Sequence, residues 1–321
     1  MERFNSELYL TSSQAAELLN VHPSTVKRWC NEGELAFDKT DGGHRRIHLT
    51  DLLELSRVRE IETFLDSFAP YEGHVWSAFN QVVDGGSFHR VHALAMGWLN
   101  RAHMNRLTAL FAELGRRPGI SFERFADEGI RGFMSMVGDA WREGRLRVGE
   151  EHMMTEAMSD VLFRLRDVGA SPDGDRSPGE TRRAPRCAIV GTMEGHRHGL
   201  GSMCARILLE RRGWDVYFLG ADVPVEDFAA LQKSRKADLV CVSFSPPAIG
   251  ADMRRCVRIL AEFYDHTSPY SLALGGDLGE LLGFGGEDYP FERLAAFSTI
   301  GDMSKALATG FAGHPAAVGG A

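Results

Sequence analysis

No apolar run in the chain approaches the roughly 20 residues that a bilayer-spanning helix needs. A membrane partner is therefore not expected. The opening residues, Met1-Glu2-Arg3-Phe4-Asn5, lack the apolar core of a secretory signal. Cysteine is scarce. The five present, Cys30, Cys187, Cys204, Cys241 and Cys256, are odd in number and scattered. That excludes a disulfide framework and points to reduced thiols in the cytoplasm. Positive charge is not in excess either. The net charge of −8 argues against indiscriminate nucleic-acid binding. It leaves room for a local basic face on one small domain. No internal repeat is present.

What remains is a chain of 321 residues, long enough for two or three domains. Residues 8–57 are compact and helical with a basic turn, and residues 58–168 are almost wholly helix-patterned. Residues 186–313 alternate strand-like and helix-like segments. Cys187–Gly191, Val216–Gly220, Leu239–Ser243 and Tyr270–Leu274 read as buried strands, with a weaker fifth near Phe297–Ile300. Helices are expected to start near Gly199, Val225, Ala251 and Leu278. Such alternation predicts a parallel sheet covered on both faces. Residues 169–185 have linker composition. The expected organisation is multidomain, α and α/β. A winged helix-turn-helix occupies 1–60 and a helical bundle 61–168. After the linker comes a Rossmann-like doubly wound sheet over 186–313, then a flexible tail over 314–321.

The most informative run is His198-Gly199-Leu200-Gly201, where the first of these strands gives way to a helix. Ser243 and then Gly275-Gly276 follow at the ends of later strands. Strand-to-helix turns are where ligands dock in a doubly wound sheet. Glycines admit a bulky planar ligand to the backbone, and a histidine offers a ring nitrogen to a metal. The pattern resembles the cobalamin-binding signature of methionine synthase and the corrinoid-dependent mutases: Asp-x-His-x-x-Gly, then Ser-x-Leu, then Gly-Gly. The resemblance implies that His198 ligates cobalt from below, and that Gly201, Ser243, Gly275 and Gly276 line the slot for the displaced base. Two positions depart from it. His196 stands where an acid usually orients the ligand, and Ser245 stands where leucine is expected. A shifted register, Glu194-Gly195-His196-Arg197-His198-Gly199, restores the acid and makes His196 the ligand. A metal site built from His196 and His198 alone is a third reading.

Near the N-terminus, Leu10–Leu19 reads as a helix capped by Thr11 or Ser12. Asn20-Val21-His22-Pro23 breaks it, and Ser24 opens a second helix with Val26 and Trp29 spaced to face a core. This is a helix-turn-helix, whose second helix enters the major groove. Ser24, Thr25, Lys27 and Arg28 lie where base and phosphate contacts are made. Strand-like pieces over 33–37 and 42–47 flank a glycine turn, and His44, Arg45 and Arg46 make a basic wing. The region resembles the winged helix of MerR-type regulators, in the short variant shared with excisionases.

Between these regions, Pro70–Val83, Phe88–Leu99, Met104–Leu114, Glu123–Arg142 and Val148–Asp167 read as helices, enough for a four- or five-helix bundle. Trp141, Arg142, Glu151 and His152 stand out. The stretch around them resembles the helical cap of CarH/LitR-type photoreceptor regulators, which join a MerR-like domain to a cobalamin domain. The resemblance implies that Trp141 and the Glu151-His152 pair lie over the cofactor's upper face. In the best-known light sensors the residue after the tryptophan is a histidine that takes cobalt's upper position after photolysis. Here it is Arg142, which stays protonated and is a poor metal ligand. Taken alone, Trp141 reads sooner as a core aromatic and Glu151-His152 as a solvated helix face; beside the His198 pattern and the helix-turn-helix the order reverses.

The function expected is a cobalamin-binding, light-responsive transcription regulator and not an enzyme. Adenosylcobalamin is the expected cofactor form. The expected partners are double-stranded operator DNA and further copies of the chain, as dimer or tetramer. The alternatives are a corrinoid-dependent methyl carrier or enzyme component, and a regulator that no longer needs cobalamin.

Overall fold

The first helix starts where a hydroxyl can hold its free N–H groups. The Thr11 side chain accepts the Gln14 N–H, and the Gln14 side chain returns to the Thr11 backbone. This reciprocal capping box fixes the start of α1 (Ser12–Leu18). The next helix, α2 (Pro23–Glu32), is capped by the His22 ring, which accepts from Ser24 N–H. It ends at Gly33, whose φ of 79° is left-handed and costs glycine nothing. Val26, Trp29 and Cys30 are buried, as their spacing requires.

The structure, a computed structural model, describes residues 8–101, 103–166, 186–245, 249–276 and 289–310. The expected linker over 169–185, the tail over 314–321 and the helix start near Leu278 lie outside the described residues.

Two compact units divide the chain, Met1–Ile120 and Ser121–Ala321. The division falls inside the stretch 61–168 that was expected to form one bundle. In the first unit, β1 (Tyr9–Leu10), β2 (Asp38–Lys39) and β3 (Arg45–His48) make an antiparallel sheet in the order β1-β3-β2. The first wing strand thus lies at 38–39 and not over 33–37. The reason is local: Glu34 and Leu35 both donate their N–H to Trp29 O, so this stretch closes α2 instead of pairing. Helix α3 (Leu49–Val58) follows, then α4 (Glu72–Val83), α5 (His89–Leu99) and α6 (Met104–Gly115). Phe68 and Trp98 stack at 5.9 Å, both buried in this unit's core.

The second unit opens with α7 (Phe122–Arg124), a π-helical segment (Phe125–Arg131), α8 (Gly132–Arg142) and α9 (Val148–Arg166). An α/β sheet follows. Its strands are β4 (Cys187–Met193), β5 (Asp215–Val223), β6 (Leu239–Ser243), β7 (Ser271–Gly275) and β8 (Leu294–Phe297). All pair in parallel, in the order β5-β4-β6-β7-β8. Helices α10 (Leu200–Arg211) and α13 (Ile300–Ala308) pack together on one face, and α11 (Val225–Arg235) and α12 (Ile249–Glu262) on the other. Because both faces are covered, the central strands are apolar along most of their length. Ile189, Val190, Val240, Val242 and Leu272 are all fully buried. The fifth strand lies three residues earlier than its expected place at Phe297–Ile300. Ile300 belongs instead to α13, whose start is fixed by Thr299 accepting the Asp302 N–H.

Chain order reverses between β4 and β6, since β4 sends the chain to β5 on one side and β6 sends it to β7 on the other. That reversal makes a crevice beyond the carboxyl ends of β4 and β6, the usual ligand site of this fold. Specific polar contacts tie the helical part of this unit to its α/β part. The Asp127 carboxylate accepts Ile300 N–H at 2.8 Å and Gly301 N–H at 2.9 Å, satisfying the first turn of α13. Arg166 pairs with Glu210 at 2.7 Å, and Arg211 donates to Leu165 O at 3.1 Å. No helix among the described residues is long and apolar enough to cross a membrane.

Candidate functional site

At the carboxyl end of β6, Ser243 is opposite Thr192 of β4 and Gly275 of β7. It is 9% exposed, and among the described residues its hydroxyl has no hydrogen-bond partner. Gly201, in the first turn of α10, faces that hydroxyl. A Cβ built on Gly201 would stand 2.8 Å from Ser243 Oγ, closer than real Cβ contacts allow. A Cβ on Gly275 would stand 3.7 Å from the same oxygen. One on Gly276 would meet Met253 Cε at 2.9 Å. Gly201, Ser243 and Gly275, on three separate elements, therefore form one narrow cradle whose width depends on missing side chains, while Gly276 lies beside it against Met253 and Phe244.

His198 stands at the rim of this crevice, between β4 and α10. It is exposed, and among the described residues it makes no hydrogen bond. His196 is its opposite: 5% exposed, with both ring nitrogens engaged. Nε2 faces Asp252 Oδ2 at 3.1 Å, and Nδ1 is 3.0 Å from Ser245 N and 3.1 Å from Ser245 O. A neutral ring places its proton on Nε2 toward the carboxylate and accepts the Ser245 N–H at Nδ1. A histidine so held has no lone pair to offer a metal, which favours His198 over the shifted register. Glu194, the acid of that register, is bound elsewhere, accepting Val225 N–H at 3.0 Å and pairing with Arg255. No cluster of three or more His, Cys, Asp or Glu is placed to hold a metal ion among the described residues. The pair His196 and His198 thus gains no third donor there.

Sequence reasoning missed two acids that hold this loop, Asp222 and Asp252. Asp222, left-handed at φ 62°, accepts Gly195 N–H at 2.8 Å and lies 3.8 Å from Arg197. Neither acid sits at a motif spacing from His198, so only the fold reveals them.

In the helical part of the same unit, Trp141 is 47% exposed, which rules out the core-aromatic reading. Val148 and Met153 are likewise exposed, giving α8 and α9 an apolar outer surface. Arg142 pairs with Asp139 one turn back. Glu151 accepts the Thr155 hydroxyl at 2.9 Å and lies 3.6 Å from the exposed His152. Among the described residues none of Trp141, Arg142, Glu151 and His152 hydrogen-bonds to the His198 loop.

In the first unit, Ser24, Lys27 and Arg28 are exposed along α2, and Thr25 is half-buried. Arg28 lies 3.9 Å from Glu32, an exposed pair worth only about 0.3–0.5 kcal/mol and easily exchanged for a phosphate. The wing is more committed. Arg45 donates to Asn31 Oδ1 at 2.7 Å and lies over Phe37, and Arg46 lies over Tyr9. Both arginines are half-buried, whereas His44 is exposed at the turn. Arg45 thereby braces the wing against α2.

The same partition emerges from comparison with known proteins. Residues 9–56 match the helix-turn-helix domain family. Residues 99–166 and 186–278 each match a B12 binding domain family. The chain thus carries a helix-turn-helix domain followed by B12-binding regions. It is 25% identical over 146 residues to dimethylamine corrinoid protein 3 of Methanosarcina acetivorans, covering 46% of this chain and 65% of that one. It is 26% identical over 119 residues to the dimethylamine corrinoid protein of Methanosarcina barkeri, covering 36% of this chain and 52% of that one. The chain therefore spans about half to two thirds of the length of these curated relatives. The structure of the Methanosarcina barkeri monomethylamine corrinoid protein superposes with a TM-score of 0.51 at 16% identity, covering 68% of this chain and 97% of that one. That likeness establishes the fold. The B12-binding matches and the cradle together support a corrinoid cofactor.

Proposed function

We propose that the protein is a transcription regulator that binds operator DNA through α2 and its wing and takes cobalamin as its sensory ligand. The observation that carries this reading is the joining of two features in one chain: a helix-turn-helix with exposed Lys27 and Arg28, and a glycine-and-serine cradle at the switch point with His198 at its rim. His198 would hold the cobalt, and Gly201, Ser243, Gly275 and Gly276 would line the slot for the cofactor's base. Trp141, with Glu151, His152 and Arg142, covers the upper face. Adenosylcobalamin, when bound, supplies a cobalt–carbon bond that visible light breaks. The signal is then a change in assembly or DNA affinity, and the protein turns over no substrate.

Mixing the purified full chain with adenosylcobalamin tests this reading. The protein should retain the red cofactor through desalting, and His198→Ala should lose the histidine-ligated spectrum and bind more weakly. An unchanged spectrum and affinity in that variant would sink the ligand assignment. The curated relatives favour one second reading, a methyl carrier. Methyl transfer from the methylcobalamin-loaded chain to an acceptor thiol, catalysed by a corrinoid-dependent methyltransferase and leaving cob(I)alamin, with no DNA binding, would establish it instead.

A further inference from the structure

Relative to the cobalamin signature, an acid is missing two residues before His198, and His196 stands there. It does not turn toward the ligand. It points into the protein and meets three separate pieces of chain. Its Nε2 meets Asp252 in the first turn of α12, and its Nδ1 meets the backbone of Ser245 just after β6. Its ring lies edge-on to Phe244 at 5.3 Å between centroids. Its own carbonyl accepts the Thr192 hydroxyl at 2.6 Å and the Asp222 N–H at 3.2 Å. Its own N–H donates to Met193 O at 3.1 Å, so every polar atom of this residue is engaged, and apart from Thr192 and Met193 of β4 its partners lie on other elements.

We propose that His196 is a positioning residue: its ring ties the loop after β4 to the loop after β6 and to α12, and so holds His198 and Ser243 in fixed relation without touching cobalt. The ring lies two residues before the ligand, and its Ser245 partner lies two residues after the cradle serine. One buried side chain therefore sets both the lower ligand and the slot beneath it. In the usual arrangement a carboxylate orients the ligand's ring. Here the orientation is imposed on the backbone of both loops, and the His198 ring is left free. Burial makes the tie firm, because a buried ring nitrogen that loses its partner cannot turn to water instead. The inference rests on His198 being the lower ligand.

Full-length protein labelled with 15N-histidine and loaded with hydroxocobalamin, then reduced to the cob(II) state, gives the test by electron paramagnetic resonance. A histidine ligand splits the signal into a doublet with the label and a triplet without it. The cofactor's own base gives a triplet in both. Wild type should show the doublet and His198→Ala only the triplet. His196→Ala and Asp252→Ala should show a mixture of the two and bind hydroxocobalamin roughly 10–100-fold more weakly, the usual cost of losing an outer-shell partner. His196→Asn, whose amide oxygen takes over the Ser245 N–H, should recover much of the doublet. Asp252 is partly exposed, so Asp252→Ala keeps the test available if His196→Ala does not fold. Full doublet and wild-type affinity in Asp252→Ala and in every folded His196 variant would overturn the positioning role and leave the function standing. A doublet that survives His198→Ala but vanishes in His196→Ala would make His196 the ligand and overturn it too. A wild type that shows only the triplet overturns both.

Discussion

At the scale of single residues, charge and burial separate side chains that the sequence presents alike. Lys27 and Arg28 are exposed on α2, whereas Arg45 and Arg46 are half-buried in the wing. Arg28→Ala together with Arg45→Ala should cost operator affinity roughly 10-fold or more, because each cation removed from a protein–DNA interface weakens binding and flattens the salt dependence. Gel-shift titration at two salt concentrations checks this, and unchanged affinity would remove both residues from the interface. Arg45→Ala alone should also loosen the wing, since its bond to Asn31 is lost. That second role was not legible in the sequence, where Asn31 and Arg45 are simply two polar residues. His196 is the same case, because its partner Asp252 is remote along the chain and no spacing rule joins them. Arg142 gives the sharpest expectation. With no histidine after Trp141, illumination of the adenosylcobalamin-loaded protein should yield no stable bis-histidine spectrum through this position. His152 is the nearest substitute in sequence, and it lies beyond a turn at the start of α9. A bis-histidine absorption in wild type that persists in His152→Ala would contradict this.

At the scale of elements, the alternation of strands and helices was readable because a doubly wound sheet buries its strands as continuous apolar runs. Leu239–Ser243 falls where that logic placed it. The fifth strand was misplaced because Leu294–Phe297 is an edge strand, short and only partly buried, so it carries little of that signal. The π segment over Phe125–Arg131 had no signature at all. It carries Asp127, whose carboxylate caps α13 from a distance in sequence that local pattern does not span. The cradle was legible as separate glycines and a serine, but its width was not. Gly201→Val should fill the space in front of Ser243 Oγ. Overpacking costs about 1–3 kcal/mol, equivalent to roughly 5- to 150-fold if it falls on the cofactor-bound state. Equilibrium titration with hydroxocobalamin measures this, with far-ultraviolet circular dichroism expected to match wild type. Unweakened binding would show that the base does not enter between α10 and β6.

At the scale of the whole molecule, four of the five cysteines, Cys30, Cys204, Cys241 and Cys256, are buried and act as apolar groups. Burial pushes the Cys204 and Cys241 thiols from the ordinary 9.0 up to about 12, and Cys256 is raised by the same cause. Because the folded state holds these protons more tightly than the unfolded chain, their contribution to stability is complete below pH 9. It is lost as pH rises toward 12, at a limiting slope of about 1.4 kcal/mol per pH unit for each thiol. Urea midpoints measured across that range should fall, and fall less steeply in Cys241→Ala. A flat profile would contradict the burial. The proposed function couples two activities in one chain, DNA binding through the helix-turn-helix domain and cofactor binding through the B12-binding regions. Thermodynamic linkage requires that if cobalamin changes DNA affinity, DNA changes cobalamin affinity by the same factor. The most direct test is the affinity of the full chain for a DNA site selected from a random-sequence pool, measured without cofactor, with adenosylcobalamin in the dark, and after illumination. The account predicts that cofactor-loaded and cofactor-free protein differ by several-fold, and that His198→Ala removes the difference. Equal affinity in all three states would contradict it.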